Sequence, residues 1–111
     1  GPFVIAPAIE RKMGKAALAE LTLNAEAWQN AYWAKEKGLY SRVFETVEEL
    51  QKEALFFTEK LASYNPEALS NMKKILWEGT SHWGALLPER ASISGELVLS
   101  DFTKNALNKF K

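Results

Sequence analysis

Hydrophobic residues recur at every third or fourth position through much of the chain, which is the spacing of one face of an α-helix. The clearest run is Val47, Leu50, Ala54, Phe57 and Leu61. Thr46 precedes this run and Glu49 follows three residues later, in a capping box that satisfies amides of a first helical turn. The pattern predicts a long amphipathic helix that begins after Thr46 and ends at about Tyr64.

The residues that follow carry the start signals of another helix. Asn65 can cap it, Pro66 presets the backbone angle of the first turn, and Glu67 places a negative charge at the positive helix end. The predicted buried stripe of this helix consists of Leu69, Met72, Ile75 and Leu76. Gly79 is expected to end it, because glycine favours the left-handed conformation that terminates helices.

The last third of the chain predicts a linker and two more helices. Residues 80–84 are the predicted linker, and residues 85–99 form a helix with soft interruptions at Pro88 and Gly95. Asp101 is expected to cap a final helix. Its apolar stripe would consist of Phe102, Ala106, Leu107 and Phe110.

The first third begins with two helical stretches. Pro7 suits a first turn, residues 8–13 are good helix formers, and Gly14 is a predicted stop or kink before a second stretch over residues 15–23. Asn30 then predicts the cap of a short helix. That helix covers residues 31–37, Gly38 is its expected left-handed terminus, and residues 39–44 read as a short extended piece.

These elements predict an all-α fold of six or seven helices in a single segment, residues 1–111, with no sheet. The charges balance, with fourteen basic and fourteen acidic residues, so no net field attracts nucleic acid or an anionic membrane. Cysteine is absent, which excludes disulfides and thiolate metal sites. Because no apolar stretch approaches membrane-spanning length, the chain is expected to be soluble and intracellular.

The residues alone indicate no catalytic centre and no metal site. Most of the thirteen glutamates occupy helix surfaces or first turns, and only Glu20 and Glu96 lie among apolar neighbours, where a partly buried ion pair is an option. His82 follows Ser81, but adjacent residues rarely align as nucleophile and base, so a surface role is expected. The aromatic side chains are interpreted as core or interface residues rather than stacking platforms, chiefly Trp28, Tyr32, Trp33, Trp77 and Trp83.

Five motifs, in order and in register, are similar to the C-terminal region of the crotonase superfamily of enoyl-CoA hydratases and isomerases. The first runs from Arg11 through Gly14 to the Glu20-Leu21 pair, and the second, residues 30–44, resembles the family pattern SAxEAxxxGLVNRVV. The remaining three are the amphipathic helix after Thr46, residues 65–76 with the pattern NPxAxxxxKxxL, and the closing helix of residues 100–110.

The resemblance implies that residues 1–111 are a fragment of a longer chain, the helical segment that follows the ββα core and forms trimers or dimers of trimers. It also implies that the oxyanion hole and both catalytic carboxylates lie upstream, so this segment contributes no catalytic residue. The parent would act on acyl-CoA thioesters as a lyase or isomerase of fatty-acid metabolism, in the cytoplasm, with coenzyme A as part of its substrate and no permanent cofactor.

Two sets of residues receive ligand roles through the resemblance. Pro2, Phe3 and Val4 correspond to a loop near the acyl pocket, where many relatives have glycines, so the bulk of these side chains would alter acyl specificity. Phe110 corresponds to a phenylalanine that packs on the adenine of coenzyme A. On spacing alone, the favoured reading is that Phe110 continues the apolar stripe of the last helix as ordinary core.

Two other classes of function stay open on the residues alone. A helical interaction module without catalytic activity would carry the same amphipathic helices. A small helical acyl-CoA carrier is less favoured, because it should present a basic site for the coenzyme phosphates and the charges here are balanced.

Overall fold

The computed structural model describes residues 1–110, and this part of the chain contains six α-helices and no strand. The helices are α1 (Ala6–Leu23), α2 (Ala31–Glu36), α3 (Val47–Ala62), α4 (Pro66–Leu76), α5 (Trp83–Val98) and α6 (Asp101–Asn108). The all-α prediction is therefore confirmed. No helix within residues 1–110 combines the length and the apolar character that crossing a membrane requires.

Local capping explains where three of these helices begin, as the sequence predicts. The Asn30 side chain accepts a hydrogen bond from the Trp33 amide at 2.9 Å. The Thr46 hydroxyl accepts from the Glu49 amide at 3.1 Å. The Asn65 side chain accepts from the amides of the next turn, at 2.9 Å from Glu67 and 3.3 Å from Ala68. Each bond satisfies an amide that the first helical turn leaves without an intrahelical partner.

Glycine with positive φ interrupts or follows helices at the predicted places. Gly14 lies inside α1 with φ 81° and ψ 165°, so the helix is kinked there, as predicted. Gly38, with φ 91°, follows α2. The Leu39 amide donates to the Ala34 carbonyl at 2.8 Å and the Gly38 amide to the Lys35 carbonyl at 3.1 Å. This pair of bonds is a Schellman motif, which a left-handed glycine permits.

Two boundary predictions are wrong. Helix α5 begins at Trp83, inside the predicted linker, and runs through Pro88 to Val98 without a break. Pro88 lacks an amide donor and its ring crowds the carbonyl of the preceding turn, yet the residues after it stay helical. Ser100 rather than Asp101 caps α6, since its hydroxyl accepts from the Thr103 amide at 3.3 Å. Residues 39–44, the predicted extended piece, form no strand, in agreement with the predicted absence of a sheet.

The described chain divides into two compact units. The first comprises residues 1–28 and 82–110 and contains α1, α5 and α6, and the second comprises residues 29–81 and contains α2, α3 and α4. Met13 and Ala17 of α1 are the buried apolar residues of the first unit, and Ala34 of α2 is that of the second. Neither unit has a large side chain that is fully buried among residues 1–110.

The predicted burial of the helix stripes is wrong within this chain. Leu50 and Phe57 of α3 are each 49% exposed. Met72, Ile75 and Leu76 of α4 are more than half exposed, and only Leu69 is half-buried. Apolar periodicity identifies the face of a helix that packs, but it does not say whether the partner surface belongs to the same chain.

Replacing Gly14 with alanine is expected to destabilise the protein, because its backbone angles are those that essentially only glycine adopts. The expected loss in the free energy of unfolding is about 1–3 kcal/mol. Gly95 is the matched control, because it lies inside α5 with open space around its Cα. Gly95→Ala should raise the stability by about 0.5–1 kcal/mol. Thermal melts followed by circular dichroism compare the two, and equal shifts would contradict the assigned conformation of Gly14.

Candidate functional site

A cleft of about 400 Å³ lies in the first unit, between α1 and the beginning of α5. Helix α1 contributes Pro7, Glu10 and Arg11, which share a face at three- and four-residue spacing. His82 and the first two turns of α5 form the opposite wall. The lining residues there are His82, Trp83, Leu86 and Arg90. The cleft therefore combines two guanidinium groups and an imidazole with apolar and aromatic surface.

Arg90 is the most constrained cation of this cleft. Its side chain is half-buried, and Nη1 donates to the Phe3 carbonyl oxygen at 3.4 Å. Within residues 1–110 it forms no ion pair with a carboxylate. The carboxylate that lines the cleft, Glu10, lies 3.7 Å from Lys15 Nζ instead. A guanidinium that is partly removed from water and lacks an anionic partner attracts an anion.

The second unit has two smaller clefts that meet at Arg42. The more apolar one has a volume of about 260 Å³ and is lined largely by Phe44, Leu50, Ala54 and Phe57. Arg42 spans its edge, with Nη1 at 3.6 Å from Glu53 Oε2 and the guanidinium 5.9 Å from the centre of the Phe57 ring. Because this cation already has a carboxylate and an aromatic partner, the cleft is suited to an apolar group rather than an anion.

Tyr32 and Glu45 connect α2 to the segment before α3. The Tyr32 hydroxyl donates a hydrogen bond to the Glu45 carboxylate. This bond, with the negative charge of Glu45, raises the pKa of Tyr32 above its ordinary value of 10.0. The two side chains tie residues 39–46 to α2, where sequence analysis expected an extended piece. The Tyr32 hydroxyl receives no role in binding a substrate, because it already donates its hydrogen bond to Glu45.

Pro2, Phe3 and Val4 lie at the start of the first unit, in an exposed or half-exposed turn before α1. The Ala6 amide donates to the Pro2 carbonyl at 3.0 Å, which links this turn to the helix. Their assignment to an acyl pocket stays a prediction. The turn also provides the Phe3 carbonyl that holds Arg90, a role that sequence analysis did not assign.

Phe110 follows α6, and its side chain is 89% exposed. Phe102 and Leu107 of the same predicted stripe are 84% and 56% exposed. The interpretation of Phe110 as ordinary core is therefore wrong within this chain, because no core surrounds it. Its role in binding adenine stays a prediction.

Several other candidates lie on the surface. Glu20 and Glu96 are exposed, and neither forms an ion pair within residues 1–110. The partly buried ion pair that the sequence left as an option for each of them is therefore absent there. His82 is exposed, as expected, and precedes α5 without a capping bond from its side chain. Trp28 is 97% exposed and Trp77 51%, so neither is a core residue of this chain.

No group of three histidine, cysteine, aspartate or glutamate side chains suited to a metal ion lies within residues 1–110. Comparison of the chain with protein-family models, with the curated proteins and with the solved structures finds no match. The functional interpretation consequently depends on the geometry and on the sequence resemblance.

Sequence analysis missed the cleft of the first unit. Arg11 and Arg90 are 79 positions apart, and no local pattern joins them. The balanced net charge also argued against a basic site, although it reports only the sum of the charges and not their placement. The one available signal was the apolar spacing of α1 and α5, which predicts two helices but not which faces meet.

Replacing Tyr32 with phenylalanine is expected to remove the tyrosine with the raised pKa. Wild type and Tyr64→Phe, the control at an exposed tyrosine, should both show the phenol whose pKa Glu45 raises, and Tyr32→Phe should not. The bond stabilises the protonated phenol, so its contribution is complete below pH 10 and is lost as the pH rises through the raised pKa of the folded protein. Phenolate absorbance measured against pH checks this, and identical curves for the two variants would contradict it.

Proposed function

We propose that this chain is the C-terminal helical segment of an enoyl-CoA hydratase or isomerase of the crotonase superfamily, and that its contribution to the parent is assembly. The observation that carries the proposal is the exposure of apolar helix faces in α3, α4 and α6. These faces would pack against the ββα core of the parent and against neighbouring subunits. The order and register of the five sequence motifs support the choice of family.

The exposed faces are continuous features of helices rather than scattered single residues. Met72 and Ile75 lie on one face of α4 at three-residue spacing, and both are more than half exposed. In α6, Phe102 and Leu107 are exposed on a helix of only eight residues. Soluble monomers seldom leave contiguous apolar patches beyond a few hundred Å² uncovered. Such faces therefore favour contact with further protein surface.

Helix length supports the same conclusion. Isolated helices shorter than about 12–15 residues are marginal in water, and most helical stability in proteins comes from packing an apolar face. Helices α2, α4 and α6 have 6, 11 and 8 residues. Their caps contribute locally, but α4 and α6 leave most of their apolar residues in solvent. A partner surface would supply the packing that this chain does not.

In the parent, the chemistry would belong to residues upstream of Gly1. Backbone amides there would stabilise the enolate oxygen of an acyl-CoA thioester, and carboxylates there would handle water and the α-proton. The segment described here would add subunit contacts in a trimer or a dimer of trimers in the cytoplasm. It would also add Phe110, whose exposed flat ring suits stacking on adenine.

The isolated chain is expected to associate with itself and to bind a hydrophobic dye, because its apolar faces lack their partner. Multi-angle light scattering gives the mass, and dye fluorescence reports exposed apolar surface. The double substitution Met72→Gln and Ile75→Gln should lower both signals, whereas Ser70→Gln on the opposite side of α4 should leave them unchanged. A monomer that binds no dye would contradict the assembly role.

The family assignment is tested by comparing the isolated chain with the longer chain that includes the residues upstream of Gly1. The longer chain should hydrate crotonyl-CoA if the parent is a hydratase, or shift the double bond of an enoyl-CoA if it is an isomerase. The isolated chain should do neither, because the oxyanion hole and both carboxylates would be missing. A change in the conjugated enoyl thioester absorbance measures either reaction. Turnover by the isolated chain that survives repurification, or a longer chain that neither binds nor converts acyl-CoA, would overturn the assignment. In the second case, a helical interaction module would be the better description.

A further inference from the structure

The cleft between α1 and α5 has features of a ligand site that the proposed assembly role does not use. We propose that it binds a small organic phosphate ester, with the phosphate at Arg11 and Arg90 and the organic part against Trp83 and Leu86. This inference goes beyond the proposed function and does not depend on it. All the residues involved belong to the first unit of the chain.

The charge of the cleft favours an anion. Arg11 and Arg90 bring two permanent positive charges, and His82 adds an imidazole that can donate a hydrogen bond. Glu10 also lines the cleft, but it lies 3.7 Å from Lys15 Nζ, and this ammonium group offsets its charge in part. Arginine is the side chain best suited to a phosphate, because its planar fork donates two parallel hydrogen bonds to phosphate oxygens.

Arg90 is positioned for this role before any ligand arrives. Its Nη1 donates to the Phe3 carbonyl at 3.4 Å, and its side chain is half-buried. The carbonyl is neutral, so it orients the guanidinium without cancelling its charge. An anion in the cleft would supply the missing counter-charge, and a side chain that is already held in place loses less entropy on binding.

The volume of the cleft and its apolar lining indicate a ligand larger than a phosphate ion. A volume of about 400 Å³ is within the usual range of small-molecule sites. It exceeds what a single oxyanion fills, and Pro7, Trp83 and Leu86 add apolar lining around the cationic groups. A ring or hydrocarbon attached to the phosphate would cover this surface.

The test uses the chain as it is and takes phenyl phosphate and inorganic phosphate as probes. Indole N–H resonances of the four tryptophans are followed by NMR during titration, and Trp83→Phe assigns the signal of the cleft. Phenyl phosphate should shift the Trp83 resonance with saturation and a Kd of about 1 mM or tighter. Inorganic phosphate should bind more weakly, because it makes no contact with the apolar wall.

Matched variants identify the residues responsible. Arg90→Gln and Arg11→Gln should each weaken phenyl phosphate binding by about tenfold, as loss of a hydrogen bond to a charged group does. Lys12→Gln removes the same charge from α1 outside the cleft and should leave the affinity unchanged. Thermal melts accompany each titration, because Arg90 also holds the N-terminal turn. If Arg90→Gln does not fold, Arg11→Gln carries the comparison.

Two outcomes would overturn the proposal. The first is the absence of a saturable shift of Trp83 with phenyl phosphate. The second is equal weakening by Lys12→Gln and by the cleft variants, which would indicate diffuse attraction to surface charge. Neither outcome bears on self-association or on acyl-CoA turnover, so failure of this site and failure of the proposed assembly role are distinguishable.

Discussion

The shortage of apolar surface buried within the chain is the constraint on which the rest of the structure depends. Met13, Ala17 and Ala34 are its buried apolar residues among positions 1–110, and two of the three are alanines. With so little packing, the helices owe much to local bonds, above all the caps at Asn30, Thr46 and Asn65. Each cap contributes about 1 kcal/mol, which is small beside the backbone entropy lost in ordering a helix. The apolar faces that stay exposed are the observation on which the proposed assembly role rests.

The effect of charge in this protein depends on where the charged groups lie rather than on their sum. The chain has no net charge, which indicates no long-range field. Two arginines nevertheless line the same cleft of the first unit, whereas Arg42 of the second unit is paired with Glu53 and the Phe57 ring. The same residue type thus has different consequences in the two units. Arg42 with its partners in place supports structure, whereas Arg90, which forms no ion pair with a carboxylate within residues 1–110, is open to a ligand.

The segment between α2 and α3 illustrates how local chemistry replaces regular structure. Residues 39–46 form neither helix nor strand. Gly38 allows the Schellman bonds at the beginning of the segment, and the Tyr32–Glu45 hydrogen bond holds it near its end. The aromatic and β-branched residues of this segment favour an extended backbone. Such a backbone becomes part of a sheet only where a neighbouring strand pairs with it.

The sequence by itself determined the helices of this protein, because their signals are local. Caps at Asn30, Thr46 and Asn65, the kink at Gly14 and the terminus at Gly38 all arise within a few residues of the positions that show them. Burial was not determined in this way. The spacing of Leu50 and Phe57 identifies the apolar face of α3 but not the surface that this face packs against, and both side chains are about half exposed. Only the tertiary structure decided that Arg11 and Arg90 line one cleft and that the Phe3 carbonyl holds Arg90. These pairs are 79 and 87 positions apart along the chain, and they depend on how α1 and α5 pack, which no local pattern encodes.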